Sequence, residues 1–473
     1  MDQDGGFGRR EFLATVGALG ALGVPGCATN ATGALADGFL PARGEFVVRD
    51  AFVLSMDPKI GDLPRGDVHV RGGVIVAVGS ALAAPGATEL DGRGMLVMPG
   101  FVDTHWHLWT SALRPLVRND DGANLGYFPM TARLGPQFTP EDCYHSARLG
   151  IAEALHSGVT TLQDWNHNVL SPAHADAGLR ALGEAGIRAR FAYGYSGRLK
   201  ATDPMDLADL ARVKDQLAAA GDRLITLGIS SRSIAENADL IRTLKTEWAG
   251  ARRLGLPITM HAGNPRQVVL LEREGMLGPD LQLVHPTQMT SAEFRALAAN
   301  RVSFSSSPVT EMRRPQERGE IQMQELLDAK IQVSLSVDHV AGLNCDFFNQ
   351  MRVLHWNHSR RFGDKFPLTT RRIVELATIE GARDLGIADR TGSLTPGKRA
   401  DLIMVRTGDG NLGPVGEATH SLVFTAQPSN VDTAVVDGRI LMRGGKLLSM
   451  DEDRVVREAA QAALAIRNRA GWP

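Results

Sequence analysis

Cysteine is scarce in this chain: Cys27, Cys143 and Cys345 are the only three in 473 residues, and no two stand in a Cys-x-x-Cys pair. A disulfide framework and a thiolate zinc site are both excluded on that count. Neither charge is in excess, with 51 basic residues against 53 acidic ones, a net charge of -2 and no block of one sign. Nucleic acid and anionic membrane surfaces therefore find no electrostatic footprint. No Gly-x-Gly-x-x-Gly follows a strand pattern and no phosphate loop occurs, so no nucleotide cofactor is implied. The spacing Gly-x-Ser-x-Gly of a serine hydrolase is missing as well, "YGYSGR" around Ser196 failing it. What remains is a chain of ordinary globular composition, 43% apolar and 22% charged, long enough for one large barrel and a smaller domain. Its expected partner is a small-molecule substrate, in a homo-oligomeric assembly.

The N-terminus has a different texture. In "GRREFLATVGALGALGVPGCATNATGA" the pair Arg9-Arg10 precedes an apolar run to about Val24. The run is shorter than the roughly 20 residues a bilayer span needs. This order of charge, apolar run and small residues is that of a twin-arginine secretion signal, expected over residues 1-30, with a linker over 31-44. Export to the periplasm or cell surface is the corresponding expectation. Val24-Pro25-Gly26-Cys27 also has the form of a lipoprotein cleavage box, which makes Cys27 a candidate lipid anchor.

From 45 to 98, short alternating segments such as "GEFVVRDAFVLSMDP" and "GDVHVRGGVIVAVGS" predict strands of an antiparallel sheet, and similar text returns over 392-448. Two half-sets of strands at opposite ends of a chain predict one small β-sandwich built from both, followed by a C-terminal helix within 449-473. Between them, over 99-391, eight apolar segments alternate with helical patterns. Those segments are 100-104, 159-164, 188-193, 224-229, 258-260, 281-284, 302-305 and 331-337. The helical text includes Thr139-Pro140-Glu141-Asp142, a cap with proline in the first turn and acid at the N-terminal end. Eight strands alternating with helices predict a (β/α)8 TIM barrel, an α/β fold whose chemistry sits at the C-terminal ends of the strands.

Those ends carry His105 and His107 after the first strand, Asp164 at the second and Ser230-Ser231 after the fourth. His261 follows the fifth, His285 the sixth, Ser306-Ser307 the seventh and Asp338 the eighth. Residues i and i+2 of a strand share a face, so His105 and His107 can both enter the barrel mouth. Neutral imidazole and carboxylate are ligands that zinc, iron and manganese accept, and three or four of them leave a position for water. His105, His107, His261 and Asp338 are thus the candidate ligands of one divalent metal. His285 is a candidate ligand or proton carrier, and Asp338 a candidate catalytic group. Trp109, His167, His339 and Glu311 are candidate pocket residues, each with an ordinary packing or capping role as its alternative. Cys143, inside a helical pattern, reads as core.

"MPGFVDTHWHL", "SGVTTLQDWNHN", "PITMHAG", "LQLVHP", "VSFSSSPVTEM", "VSLSVDH" and "GSLTPGKRADLIMV" resemble, in order and spacing, the amidohydrolase superfamily. The likeness is to its branch of chlorotriazine hydrolases and guanine or cytosine deaminases, over about residues 45-448. The resemblance implies a distorted TIM barrel with a split β-sandwich, a metal held by His105, His107, His261 and Asp338, and His285 near the bound water. It also implies a single metal, most simply zinc, because Ser230-Ser231 stand where two-metal members carry a bridging lysine. One departure stands out. The branch carries a glutamate three residues after the fifth-strand histidine to shuttle protons, and this chain has Asn264. General acid-base help is worth roughly 10²- to 10⁴-fold, so the expectation becomes hydrolysis of a carbon-nitrogen bond in an amide, carbamate, urea or N-heterocycle, with Asn264 available to hold a substrate carbonyl. Deamination or dechlorination of a ring is the alternative, and a catalytically silent metal-binding barrel is a third.

Overall fold

The computed structural model describes residues 40-118, 125-221, 224-285, 287-313, 320-363, 365 and 368-473. The twin-arginine segment, Cys27 and all but the end of the 31-44 stretch lie outside the described residues. Among the described residues no helix is long and apolar enough to cross a membrane.

The first half-set of strands is β1 (Glu45–Leu54), β2 (Asp62–Arg71), β3 (Val74–Gly79), β4 (Thr88–Asp91) and β5 (Met95–Pro99). The second is β14 (Leu402–Arg406), β15 (Val431–Val436), β16 (Arg439–Arg443) and β17 (Lys446–Leu447). They join in one nine-stranded sheet through β5 and β14, which pair antiparallel with Met98 opposite Ile403. The sheet is mixed, since β1 pairs in parallel with both β4 and β5. Alternate β-branched and leucine side chains, among them Val48, Val53, Val68, Ile75, Leu402 and Val435, form a separate apolar core on it.

The barrel consists of β6 (Phe101–Trp106), β7 (Val159–Asn166), β8 (Arg188–Tyr193), β9 (Ile225–Ser231), β10 (Ile258–His261), β11 (Leu281–Val284), β12 (Ser303–Ser306) and β13 (Val333–Leu335). Each pairs in parallel with the next. The ring closes at its mouth, where the His107 amide donates to the Asp338 carbonyl at 2.7 Å and the Asp338 amide donates to the His105 carbonyl at 2.9 Å. Helices alternate with the strands, and Pro140–His156 begins at the cap that its sequence predicts, where Thr139 and Asp142 form a capping box.

Barrels of this kind usually fill with branched aliphatic side chains, but this one fills with hydroxyls and amides. Thr104 Oγ1 lies 2.7 Å from both Ser305 Oγ and Ser334 Oγ. Gln163 Nε2 donates to the Thr104 carbonyl and to Gln282 Oε1. The barrel is tied to the sheet by Arg188, buried on β8 and paired with Asp401 and Asp437. The C-terminal helix Glu452–Ala470 is capped by Gly471, and the indole of Trp472 beyond it donates to the Leu116 carbonyl at 3.0 Å.

Candidate metal centre

His105 is the penultimate residue of β6 and His107 follows directly after the strand, so both rings enter the mouth beside each other, 4.6 Å apart. His261 closes β10, and Asp338 follows β13. Their ligand atoms all lie within 4.8 Å of one another. Asp338 Oδ1 is 3.3 Å from His105 Nε2 and 3.4 Å from His107 Nε2, while His261 Nε2 is 3.2 Å from His105 Nε2. Atoms bound at about 2.0-2.1 Å to one ion stand about 2.9-3.4 Å apart across right to tetrahedral angles, and these three edges fall in that range.

The chemistry of the donors fits a cation. A carbonyl can only accept, so His107 Nδ1, 2.9 Å from the Trp165 carbonyl, carries the proton and leaves Nε2 as a lone pair facing the cluster. Burial pushes the His105 imidazole down to about 3 and holds His261 well below its usual range. Burial alone would push Asp338 up, but His339, then His105, His107 and His285, outweigh it and hold the carboxyl well below the usual carboxylate range. Three imidazoles, with His105 and His261 held neutral, and one carboxylate converge within 4.8 Å of one another. A divalent ion satisfies that set.

His285 and Asp338 both have left-handed backbones, with φ of 70° and 75°. Such angles are uncommon for side chains with a Cβ and are held by their surroundings at sites of this kind. The two oxygens of Asp338 face different neighbours. Oδ1 faces the ligand rings, and Oδ2 lies 4.0 Å from both His285 Nε2 and His339 Nε2. The His285 ring is parallel to His261 at 5.5 Å, and the His339 ring stacks on Tyr127 at 4.0 Å. Burial pushes His339 down to about 4.

The other sequence candidates separate. His167 lies against His107 at 4.4 Å, half-buried at the rim. Trp109 packs in an apolar cluster with Leu113, Phe138 and Trp472 and reaches the site only through its indole N–H, 3.4 Å from His167 Nδ1. Asn264 is exposed, and its main-chain amide donates to Gln267 Oε1. Glu311, expected to line the substrate pocket, does not face it. Its side chain is fully buried behind His285, because the short helix Pro308–Met312 turns it back onto β12. Asp164 points outward from the barrel, where burial pushes it up to about 7. Ser230 and Ser231 bond to the Ala192 carbonyl and the Trp248 indole, as packing groups.

Three residues at the site escape sequence reasoning. Trp165 lies 4.2 Å from the His261 ring and orients His107 through its carbonyl; its signal was its place in the strand carrying Asp164. Asp103 accepts from the amides of His105 and Val337 at 3.0 and 3.2 Å, strapping the first strand to the last. It stands in the histidine motif itself. Tyr127 arrives from the segment after the 3-10 helix Leu108–Leu116, with no signal in the text.

The Amidohydrolase family profile matches residues 96–441. The chain belongs to the amidohydrolase family. The amidohydrolase is 28% identical over 445 residues to a 5'-deoxyadenosine deaminase of Methanosarcina acetivorans, covering 90% of this chain and 99% of the relative. In fold it is similar to the crystal structure of an adenosine deaminase from Xanthomonas campestris with bound zinc, with a TM-score of 0.77 and 23% identity over 90% of this chain and 100% of that one. It is similar also to atrazine chlorohydrolase from Arthrobacter aurescens complexed with zinc, with a TM-score of 0.75 and 21% identity over 88% and 100%. As an amidohydrolase it is an enzyme of carbon-nitrogen bond hydrolysis acting on a small molecule.

Proposed function

We propose that this amidohydrolase holds one zinc ion at His105, His107, His261 and Asp338 and hydrolyses a carbon-nitrogen bond at a ring carbon of an N-heterocycle. The convergence of three imidazole nitrogens and one carboxylate within 4.8 Å carries the reading. Iron and manganese suit the same donors. A single ion is favoured by Ser230 and Ser231 at the end of β9, which offer no bridging lysine. When bound, a divalent ion supplies Lewis-acid activation of water near neutral pH.

The side chains do the rest. Asp338 Oδ2 and His285 Nε2 face each other across 4.0 Å, and a proton taken from the attacking water passes between them to the leaving nitrogen. The Tyr127-His339 stack and His167 rim the space beyond the ligands, a flat boundary suited to an aromatic ring. The names of the relatives, deaminases of adenosine analogues, support the same substrate class.

Asn264 favours a second reading. With no acid at that position to protonate a ring nitrogen, an amide, carbamate or urea is the simpler substrate, its carbonyl held by the Asn264 amide. The test is metal analysis of the purified protein followed by a screen of aminated and chlorinated heterocycles, aryl amides, carbamates and ureas. Ammonia from a ring at one metal per chain is the expected result. Carboxylate release without ammonia moves the assignment to the second reading, and stoichiometric metal with no turnover leaves a silent binding barrel.

We also propose that the chain is exported folded and metal-loaded, supported by Arg9-Arg10 ahead of the short apolar run. Arg9→Lys/Arg10→Lys should retain it in the cytoplasm on fractionation. Incorporation of labelled palmitate, lost in Cys27→Ala, tests the lipid anchor, and light scattering tests the homo-oligomer.

A further inference from the structure

We infer that Glu311 is a positioning residue that fixes the His285 imidazole for proton transfer, so that the pair does the work of the acid missing at Asn264. The inference rests on the hydrolytic reading above. Glu311 has a side chain with no exposed surface. Its carboxylate accepts from three donors: His285 Nδ1 at 3.2 Å, the Ser307 amide at 2.8 Å and Ser306 Oγ at 2.7 Å. A carboxylate held this way sets Nδ1 as the donor of the His285 ring. Nε2 then presents its lone pair to Asp338 Oδ2, on the side where the reaction takes place.

The need for such a support is visible in the backbone. His285 sits at a φ of 70° at the end of β11, a conformation that the strand does not impose. Glu311 reaches it from the helix after β12, the neighbouring strand, and Ser306 and Ser307 hold the carboxylate in place. In the reaction, a carbon-oxygen bond forms to water and a carbon-nitrogen bond breaks. The water proton moves to His285 Nε2 and from there to the leaving nitrogen, while the Nδ1 proton stays on the ring facing Glu311. Asn264, exposed and without an exchangeable acidic proton, takes no part in this transfer.

The competing role for Glu311 is that of a cap for its own short helix, through the Ser307 amide. A double-mutant cycle separates the two. Glu311→Gln keeps the size of the side chain and an oxygen for Ser307. It should lower kcat about 10- to 100-fold, with KM changed less than about 3-fold and metal content unchanged. His285→Asn should lower kcat at least as far, and Glu311→Gln added to it should have no further effect. Equal fold-losses in both backgrounds, or a loss of metal and of thermal midpoint in step with activity, overturn the inference in favour of the cap. A second readout does not depend on finding the substrate. In the zinc-loaded wild type the ¹⁵N shifts of His285 should report a proton on Nδ1, and Glu311→Gln should mix the tautomers. A wild-type ring protonated on Nε2, or no change in the variant, overturns it. Failure of the hydrolytic reading would show instead as absent turnover with the His285 tautomer intact.

Discussion

On the nine-stranded sheet the buried face is Val48, Val53, Val68, Ile75, Leu402 and Val435. At equal depth inside the barrel stand Thr104, Gln163, Gln282, Ser305 and Ser334, each bonded to another. An apolar face is held by area removed from water, which tolerates change of shape if volume is kept. A polar interior is held by partners, and every group in it depends on a particular neighbour. The difference teaches where direction is needed. The polar filling runs up to the mouth, where ring nitrogens and carboxylate oxygens must point one way to within a fraction of an ångström.

Four changes test that contrast. The largest effect belongs to the mouth: Asp338→Asn or His261→Ala should bring bound metal close to zero and lower turnover on the order of 10³-fold or more, read by elemental analysis and initial rates. Chelation of the wild type should reproduce the loss, and added zinc should reverse it. In the sheet, Leu402→Ala should lower unfolding free energy by about 2-5 kcal/mol in a urea titration. In the barrel, Thr104→Val keeps volume and removes only the hydroxyl that Ser305 and Ser334 share. It should lose about 1-1.5 kcal/mol, the worth of the bonds removed, since Ser305 keeps Ser336 and Ser334 keeps Asp384 as partners. A neutral result would mean that the polar interior is as forgiving as the sheet.

The smallest effect is a dependence on pH. Asp164 has a folded value of about 7, pushed up by burial from the ordinary 3.8. Its contribution is therefore present in full below pH 3.8 and lost as pH rises through 7. Asp164→Asn has no such loss, so its stability advantage over the wild type should widen by about 1 kcal/mol between pH 6 and 8. Thermal midpoints across that range decide it, and a constant gap would show that the carboxyl is solvated.

Hydropathy made both sheets legible because each strand is a short apolar run cut by Gly, Pro or Asp. The limits of β8 and β11 stand as read, since turn residues bound them on both sides. β7 continues to Asn166 because Trp165 and Asn166 go on pairing with Ala192 and Tyr193, a matter for the neighbour. β13 stops at Leu335, since Asp338 pairs instead with Trp106 at the ring closure. Histidines at strand ends were legible for the same reason as the strands. Glu311 was legible as a carboxylate near the mouth, but the turn of a five-residue helix decides which way it faces, and no periodicity records that. Tyr127 comes from a segment without a pattern, and the contact it makes with His339 exists only once the barrel is closed.

The closure has a consequence for the order of events during synthesis. The main-chain bonds that complete the ring run between the first two ligands and the last one, 233 residues later in the chain. A nascent chain with His105, His107 and His261 already made still has an open ring and three of its four donors. A site with all four donors therefore forms late, once the eighth strand has arrived. Metal bound at the full four-donor site would consequently report barrels that are whole.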